Sequence, residues 1–252
     1  MANLNKKVLF LVEGESMERI NVENIAKKMF HLVGQEYKIV SYGTTIYELY
    51  EQLSVDSMLD LIGLLRSTNK IILNPEELSK QAFSQIYLIF DYEPHYQKYS
   101  DDIIKQMLEF FDNETNNGKL YINYPMFESA FYIDDFNKPV LSFEKINIDD
   151  CIGNNFKKKV REISCFGKKN HLDFTLSKTL DVWQSIKWNY IKAIKLINKK
   201  ELDYLMILDQ QIKSKNSNNE ILVLSTFILM IVDYNPEILN VIDKKYELFE
   251  LI

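Results

Sequence analysis

The chain has 252 residues, 46% of them hydrophobic and 26% charged, with a formal charge of -6. That length carries one large domain or two modest ones, each with a real core. The balance excludes a disordered chain, and two cysteines exclude a disulfide scaffold or a zinc ribbon.

The charge is uneven. Residues 1–150 hold 14 basic and 24 acidic groups, residues 151–252 hold 16 and 12, and the stretch 157–200 alone holds 12 basic and 3 acidic. An acidic half joined to a locally basic, helix-rich half points to a metal site beside a polyanion-binding surface. Cys151 and Cys165 read as reduced, non-catalytic thiols. The most apolar long stretch, 221–232, is interrupted by Ser225 and Thr226 and is too short for a bilayer. No apolar signal region opens the chain, so a cytoplasmic protein without a membrane partner is expected.

In chain order, residues 7–12 form an apolar run of strand length that ends in Glu13, Gly14 and Glu15. Gly14 permits a sharp turn, and Glu15 and Glu18 suit the positive end of the helix predicted next, whose apolar positions Val22, Ile25, Ala26, Met29 and Val33 recur at spacings near 3 and 4. Residues 37–42 are the second strand. Residues 45–65 read as a helix or helix pair, and Asn74-Pro75 opens another helix in the segment 67–85. This makes 44–85 a helical insertion ahead of a central strand, 86–90, which ends in Asp91-Tyr92-Glu93 and then Pro94. A helix over 101–111, a turn at Asn116-Asn117-Gly118 and a strand over 119–123 complete an alternation of strands and helices. That alternation predicts a parallel α/β sheet flanked by helices.

Beyond Asp135 the pattern changes. An edge strand is expected within 138–145, and helices dominate from Asn155 onward. In one of them Trp183, Ile186, Tyr190, Ile194 and Ile197 share a face, with Lys192, Lys195 and Lys199 opposite. Further helices are predicted at 200–213, 219–234 and 236–249. The expected division is therefore a catalytic domain at 1–135 and a mainly helical region at 136–252.

Three strand ends deliver carboxylates: Glu13, then Asp91 with Glu93, then Glu128. Ligands of open parallel sheets bind outside the carboxyl ends of the strands. Within a strand, residues i and i+2 share a face, so Asp91 and Glu93 can serve one ion while that geometry persists. Hard oxygen donors, few in number and leaving room for water and phosphate, suit a magnesium-type ion. Such an ion polarises a phosphodiester and lowers the pKa of an attacking water.

The string Val12-Glu13-Gly14-Glu15-Ser16 after the first strand, with Asp91-Tyr92-Glu93 after a later one, resembles the TOPRIM domain of topoisomerases, primases and related nucleases. The resemblance implies Glu13, Asp91 and Glu93 as ligands of Mg2+ or Mn2+. Tyr124-Pro125-Met126-Phe127-Glu128 is similar to a later element of TOPRIM proteins in bacterial anti-phage systems, the OLD-like and ATPase-associated nucleases. By that likeness Glu128 is a further ligand or a group that orients one, an ABC-type ATPase is a partner, and a structured RNA such as tRNA is a substrate beside DNA. The resemblance spans about residues 7–135. Glu93 stands where the family usually has Asp, and the segment between Glu13 and Asp91 is long for the minimal domain. With no zinc ribbon and no topoisomerase Tyr motif, a small nuclease fits best.

Each piece also has a plainer reading. Glu15 is either a ligand or a helix-end stabiliser. His95 either orients water or phosphate or makes a structural hydrogen bond. Lys157, Lys158, Lys159, Arg161, Lys168 and Lys169 either neutralise nucleic-acid phosphates or form a solvated basic face. Trp183 and Trp188 read as core. The rival to a nuclease is a non-catalytic TOPRIM-like sensor or adaptor that docks a partner protein. A phosphatase or nucleotide hydrolase is weaker, since no phosphate-binding glycine loop appears.

Overall fold

The computed structural model describes residues 6–30, 36–55, 59–68, 82–135, 143–166, 179–237 and 239–240. Two compact units emerge: residues 1–91 with 96–121, and residues 92–95 with 122–252.

The first unit is α/β. Its strands are β1 (Lys7–Val12), β2 (Tyr37–Ser41), β3 (Phe83–Asp91), β4 (Asp112–Asn113) and β5 (Gly118–Asn123), and its helices are α1 (Met17–Phe30), α2 (Ile46–Val55), α3 (Leu61–Ser67) and α4 (Asp101–Phe110). The sheet runs β2-β1-β3-β5-β4. β1 is parallel to β2, with Val12 opposite Ser41, and parallel to β3, with Val12 opposite Ile89. Residues Val8 to Val12 are wholly buried, as a parallel strand covered on both faces requires.

The helix ends follow from local chemistry. Ser100 caps α4 by accepting the Ile103 N–H at 3.1 Å, with Asp101 and Asp102 in its first turn. Asp60 caps α3 through the Gly63 N–H at 2.6 Å. The segment 45–65 is thus the expected helix pair; the helix predicted from Asn74-Pro75 lies outside the described residues. The sheet departs from the expected parallel form at one edge, where β4 pairs with β5 antiparallel. Gly118 begins β5 at φ +102°, and a Cβ there would lie 2.9 Å from Leu88 Cδ1, so the turn residue is fixed by packing as well as by conformation.

The second unit holds two short strands, β6 (Lys145–Asn147) and β7 (Glu220–Leu222), paired antiparallel, and the helices α5 (Asn155–Ile163), α6 (Thr179–Ile197), α7 (Tyr204–Asn218) and α8 (Thr226–Tyr234). It starts well before Asp135, because the chain after Tyr121 bonds to the segment before α8. Tyr124 bridges Leu224, Thr226 Oγ1 donates to Ile122 O at 2.7 Å, and Asn123 Oδ1 accepts Ser225 Oγ at 3.0 Å and Phe227 N at 3.2 Å. Asn123 thereby caps α8 from a distance, and it is fully buried. Asn123→Ala orphans the Phe227 N–H, which costs about 1–3 kcal/mol. With the small void added, a loss of roughly 2–4 kcal/mol in urea unfolding is expected.

The helix predicted over 219–234 is instead a strand and a helix. Asn219 stops α7 in the left-handed conformation at φ 56°, and the Gln211 amide then bonds both Leu222 N at 2.9 Å and Leu222 O at 2.8 Å, holding β7 extended. The helix expected at 200–213 begins at Tyr204, capped by Asp203. The helix expected at 236–249 falls almost wholly outside the described residues.

Lys192 also corrects the reading of α6. It is 2% exposed, ion-paired to Glu144, and lies 5.8 Å from the Trp188 ring centroid. Burial pulls its ammonium below the usual lysine range, against the pull of Glu144. The apolar face of α6 is therefore wider than the heptad-like spacing indicated. Trp183 and Trp188 are buried, as expected of core residues.

Candidate functional site

In the order β2-β1-β3, the chain's connections leave β1 to one side and β3 enters on the other. Such a reversal opens a crevice at the carboxyl ends of the two central strands. Glu13 follows β1 directly, and Asp91 is the last residue of β3.

Three backbone bonds fix the Glu13 region. Glu13 N donates to Ile89 O at 3.3 Å, Gly43 N donates to Glu13 O at 3.0 Å, and Tyr42 N donates to Val12 O at 2.8 Å. The side chain is placed too: Glu13 Oε2 accepts the Asp91 N–H at 3.2 Å. Sequence spacing of 78 residues has become one hydrogen bond. Both residues are half-buried, so neither is shut off from solvent.

Glu93 differs from expectation. β3 ends at Asp91, Tyr92 N is shared between Asn123 O at 3.1 Å and Pro125 O at 3.2 Å, and Glu93 sits at φ 41°. The extended geometry that would put Asp91 and Glu93 on one face has ended, so the alternation argument for that pair does not apply. A non-glycine residue in the left-handed region is uncommon and tends to be held by its surroundings. Glu93 belongs to the second unit with Tyr92, whose ring centroid lies 5.0 Å from that of Tyr124.

His95, in the same short segment, bonds Ile148 O through Nε2 at 2.7 Å. A carbonyl only accepts, so Nε2 carries the proton, and the structural role is the one observed. Glu15 is exposed and precedes α1, whose first-turn acid is Glu18; the helix-end role falls to Glu18.

Glu128 lies in the second unit, on the 3-10 turn Phe127–Phe131, and is 6% exposed. Lys157 Nζ pairs with it at 3.1 Å. Lys159 pairs with Asp150 at 2.7 Å. Two members of the basic cluster therefore face carboxylates of their own unit, while Lys158 and Arg161 are exposed on α5. Lys168 and Lys169 lie outside the described residues.

Burial, then the charge of Asp150, pushes Cys151 up to about 12, so this thiol is not a nucleophile at neutral pH, while Cys165 is exposed. Among the described residues no group of three or more His, Cys, Asp or Glu converges as a ready metal cage, and no helix is long and apolar enough to cross a membrane.

The donor chemistry at Glu13 and Asp91 fits a magnesium-type ion, which takes one or two protein carboxylates and fills its remaining positions with water and phosphate oxygens. Sequence reasoning placed both residues but missed what holds them. The Gly43 N–H, just past the strand parallel to β1, fixes the Glu13 carbonyl. Comparison with family models, curated proteins and solved structures finds no match.

Proposed function

We propose that this chain is a TOPRIM-type, metal-dependent nuclease that cleaves nucleic-acid phosphodiesters, with Glu13 and Asp91 as its metal-holding carboxylates. The observation that carries the reading is the hydrogen bond from Asp91 N to Glu13 Oε2 at the reversal point of the sheet. Magnesium or manganese bound there supplies charge stabilisation of the phosphodiester and a water of lowered pKa. The protein's share is to hold the Glu13 carboxylate on the Asp91 N–H, at the strand end that also carries the Asp91 side chain. The resemblance adds Glu93 and Glu128 as further carboxylates of the proposal; within the second unit Glu128 is paired with Lys157. Lys158 and Arg161 are the exposed cations offered to a phosphate backbone. The resemblance that names the family also supplies the rest of the proposal: a role in anti-phage defence, an ABC-type ATPase partner and RNA such as tRNA as substrate.

Purified protein incubated with mixed tRNA, single-stranded RNA and plasmid DNA, in magnesium or manganese, is expected to degrade one of these classes. The loss is expected to disappear with chelator and in Asp91→Ala.

A second reading, a non-catalytic sensor or adaptor, draws support from the pairing of Glu128 with Lys157 and of Lys159 with Asp150. Groups neutralised within their own unit serve stability without any ligand. Under that reading magnesium and manganese leave the melting temperature unchanged, in wild type and Asp91→Ala alike.

A further inference from the structure

We infer that Glu18 is a positioning residue for Glu13, acting through the backbone of Gly14; the inference rests on the metal-site reading above. Glu18 Oε2 accepts the Gly14 N–H, so the peptide group directly after Glu13 is tied to the first turn of α1. This bond complements the others. The Glu13 N–H is held by Ile89 O of β3, the Glu13 carbonyl by Gly43 N, and the Glu13 carboxylate by the Asp91 N–H. With Glu18 in place, the backbone around Glu13 is bonded to β3, to the loop after β2 and to α1, which fixes the base from which its side chain extends.

The glycine at 14 belongs to the same device. A Cβ there would lie 2.8 Å from Glu18 Oε1 and 3.0 Å from Glu18 Cδ. A side chain at 14 would make the Glu18 carboxylate shift away from the N–H it accepts. The spacing Glu13-Gly14-x-x-x-Glu18 thus has a physical meaning that neither the turn nor the helix end explains alone: ordinary helix-end stabilisation needs no glycine at that place. Groups that orient a metal ligand typically change metal affinity by about 10–100-fold when removed.

The test is Mn2+ binding to the full chain by isothermal titration, beside metal-free melting curves. Glu18→Ala is expected to weaken Mn2+ binding at least about tenfold. Glu18→Gln keeps an oxygen acceptor for the Gly14 N–H and is expected to stay within about threefold of wild type, because the role assigned is hydrogen-bond acceptance and not charge. Gly14→Ala crowds the same carboxylate and is expected to weaken binding in the same direction but less than Glu18→Ala, which keeps the inference testable if Glu18→Ala melts too low to use.

Unchanged binding in Glu18→Ala and Gly14→Ala overturns the inference and leaves the metal site standing. A Glu18→Gln variant as weak as Glu18→Ala also overturns it, since charge would then be what matters. Absence of Mn2+ binding in wild type, or full binding in Glu13→Ala, removes the metal-site reading and this inference with it.

Discussion

Glu13→Gln is expected to leave the protein folded and to lower metal-dependent cleavage about a thousandfold. The amide oxygen of glutamine accepts the Asp91 N–H as the carboxylate does at 3.2 Å, and the backbone bonds of residue 13 to Ile89 and Gly43 do not involve the side chain. Geometry is therefore conserved while one negative charge is lost from the place proposed to hold the ion. Metal stabilisation of a phosphoryl group is worth several kcal/mol, and each ~1.4 kcal/mol is tenfold in rate, so losing about 4 kcal/mol gives a factor near 10^3. The check is single-turnover cleavage with the melting temperature measured in parallel. Activity within tenfold of wild type, in a folded variant, would place the chemistry elsewhere. Glu13→Ala confounds the two effects, because it also orphans the Asp91 N–H.

Three strands of the first unit were legible because buried strands are written as short apolar runs, residues 7–12 needing no correction and the central strand only growing from 86–90 to Phe83–Asp91, whereas the exposed two-residue β4 carries no such run and was missed. Glu13 and Asp91 were legible for the same reason, since acid ending such a run marks its tip. What could not be read was anything set by contacts distant in sequence. The expected shared face of Asp91 and Glu93 failed because Asn123 and Pro125 capture the Tyr92 N–H. Lys192 looked like a solvent-facing lysine because helical spacing counts residue types, and its partner Glu144 lies 48 positions away. The helix expected over 219–234 failed at Asn219 and Gln211, where one left-handed residue and one side-chain amide outweigh helix propensity. The boundary near Asp135 marked a change of composition, whereas the division at Tyr121 and Ile122 is made by hydrogen bonds to Leu224, Thr226 and Phe227.

Burial of one thiol and three phenols across the two units makes the protein sensitive to alkali, and stability is expected to fall between pH 9 and pH 12. Burial raises Cys151 from 9.0 to about 12, raises Tyr124 well above 10.0, and raises Tyr42 and Tyr132 from 10.0. In each case the folded protein keeps a proton that the unfolded chain releases. Stability is then fully present below the unfolded value, near pH 9 for the thiol and pH 10 for the phenols, and is lost as pH rises toward the folded value. At Cys151 the loss grows by at most about 1.4 kcal/mol for each pH unit above 9. Lys192 works the other way: its ammonium is disfavoured by burial, and that cost fades as pH approaches 10.5. One lysine does not offset a thiol and three phenols. The measurement is the urea midpoint at pH 8, 9, 10 and 11 for wild type and Cys151→Ser. Serine retains a donor for Asn147 O, which Cys151 Sγ bonds at 3.5 Å, but it does not ionise in this range. The variant is expected to lose stability later and less steeply, with the tyrosines setting what remains. Parallel curves for the two proteins would show that the buried thiol does not govern the alkaline limb.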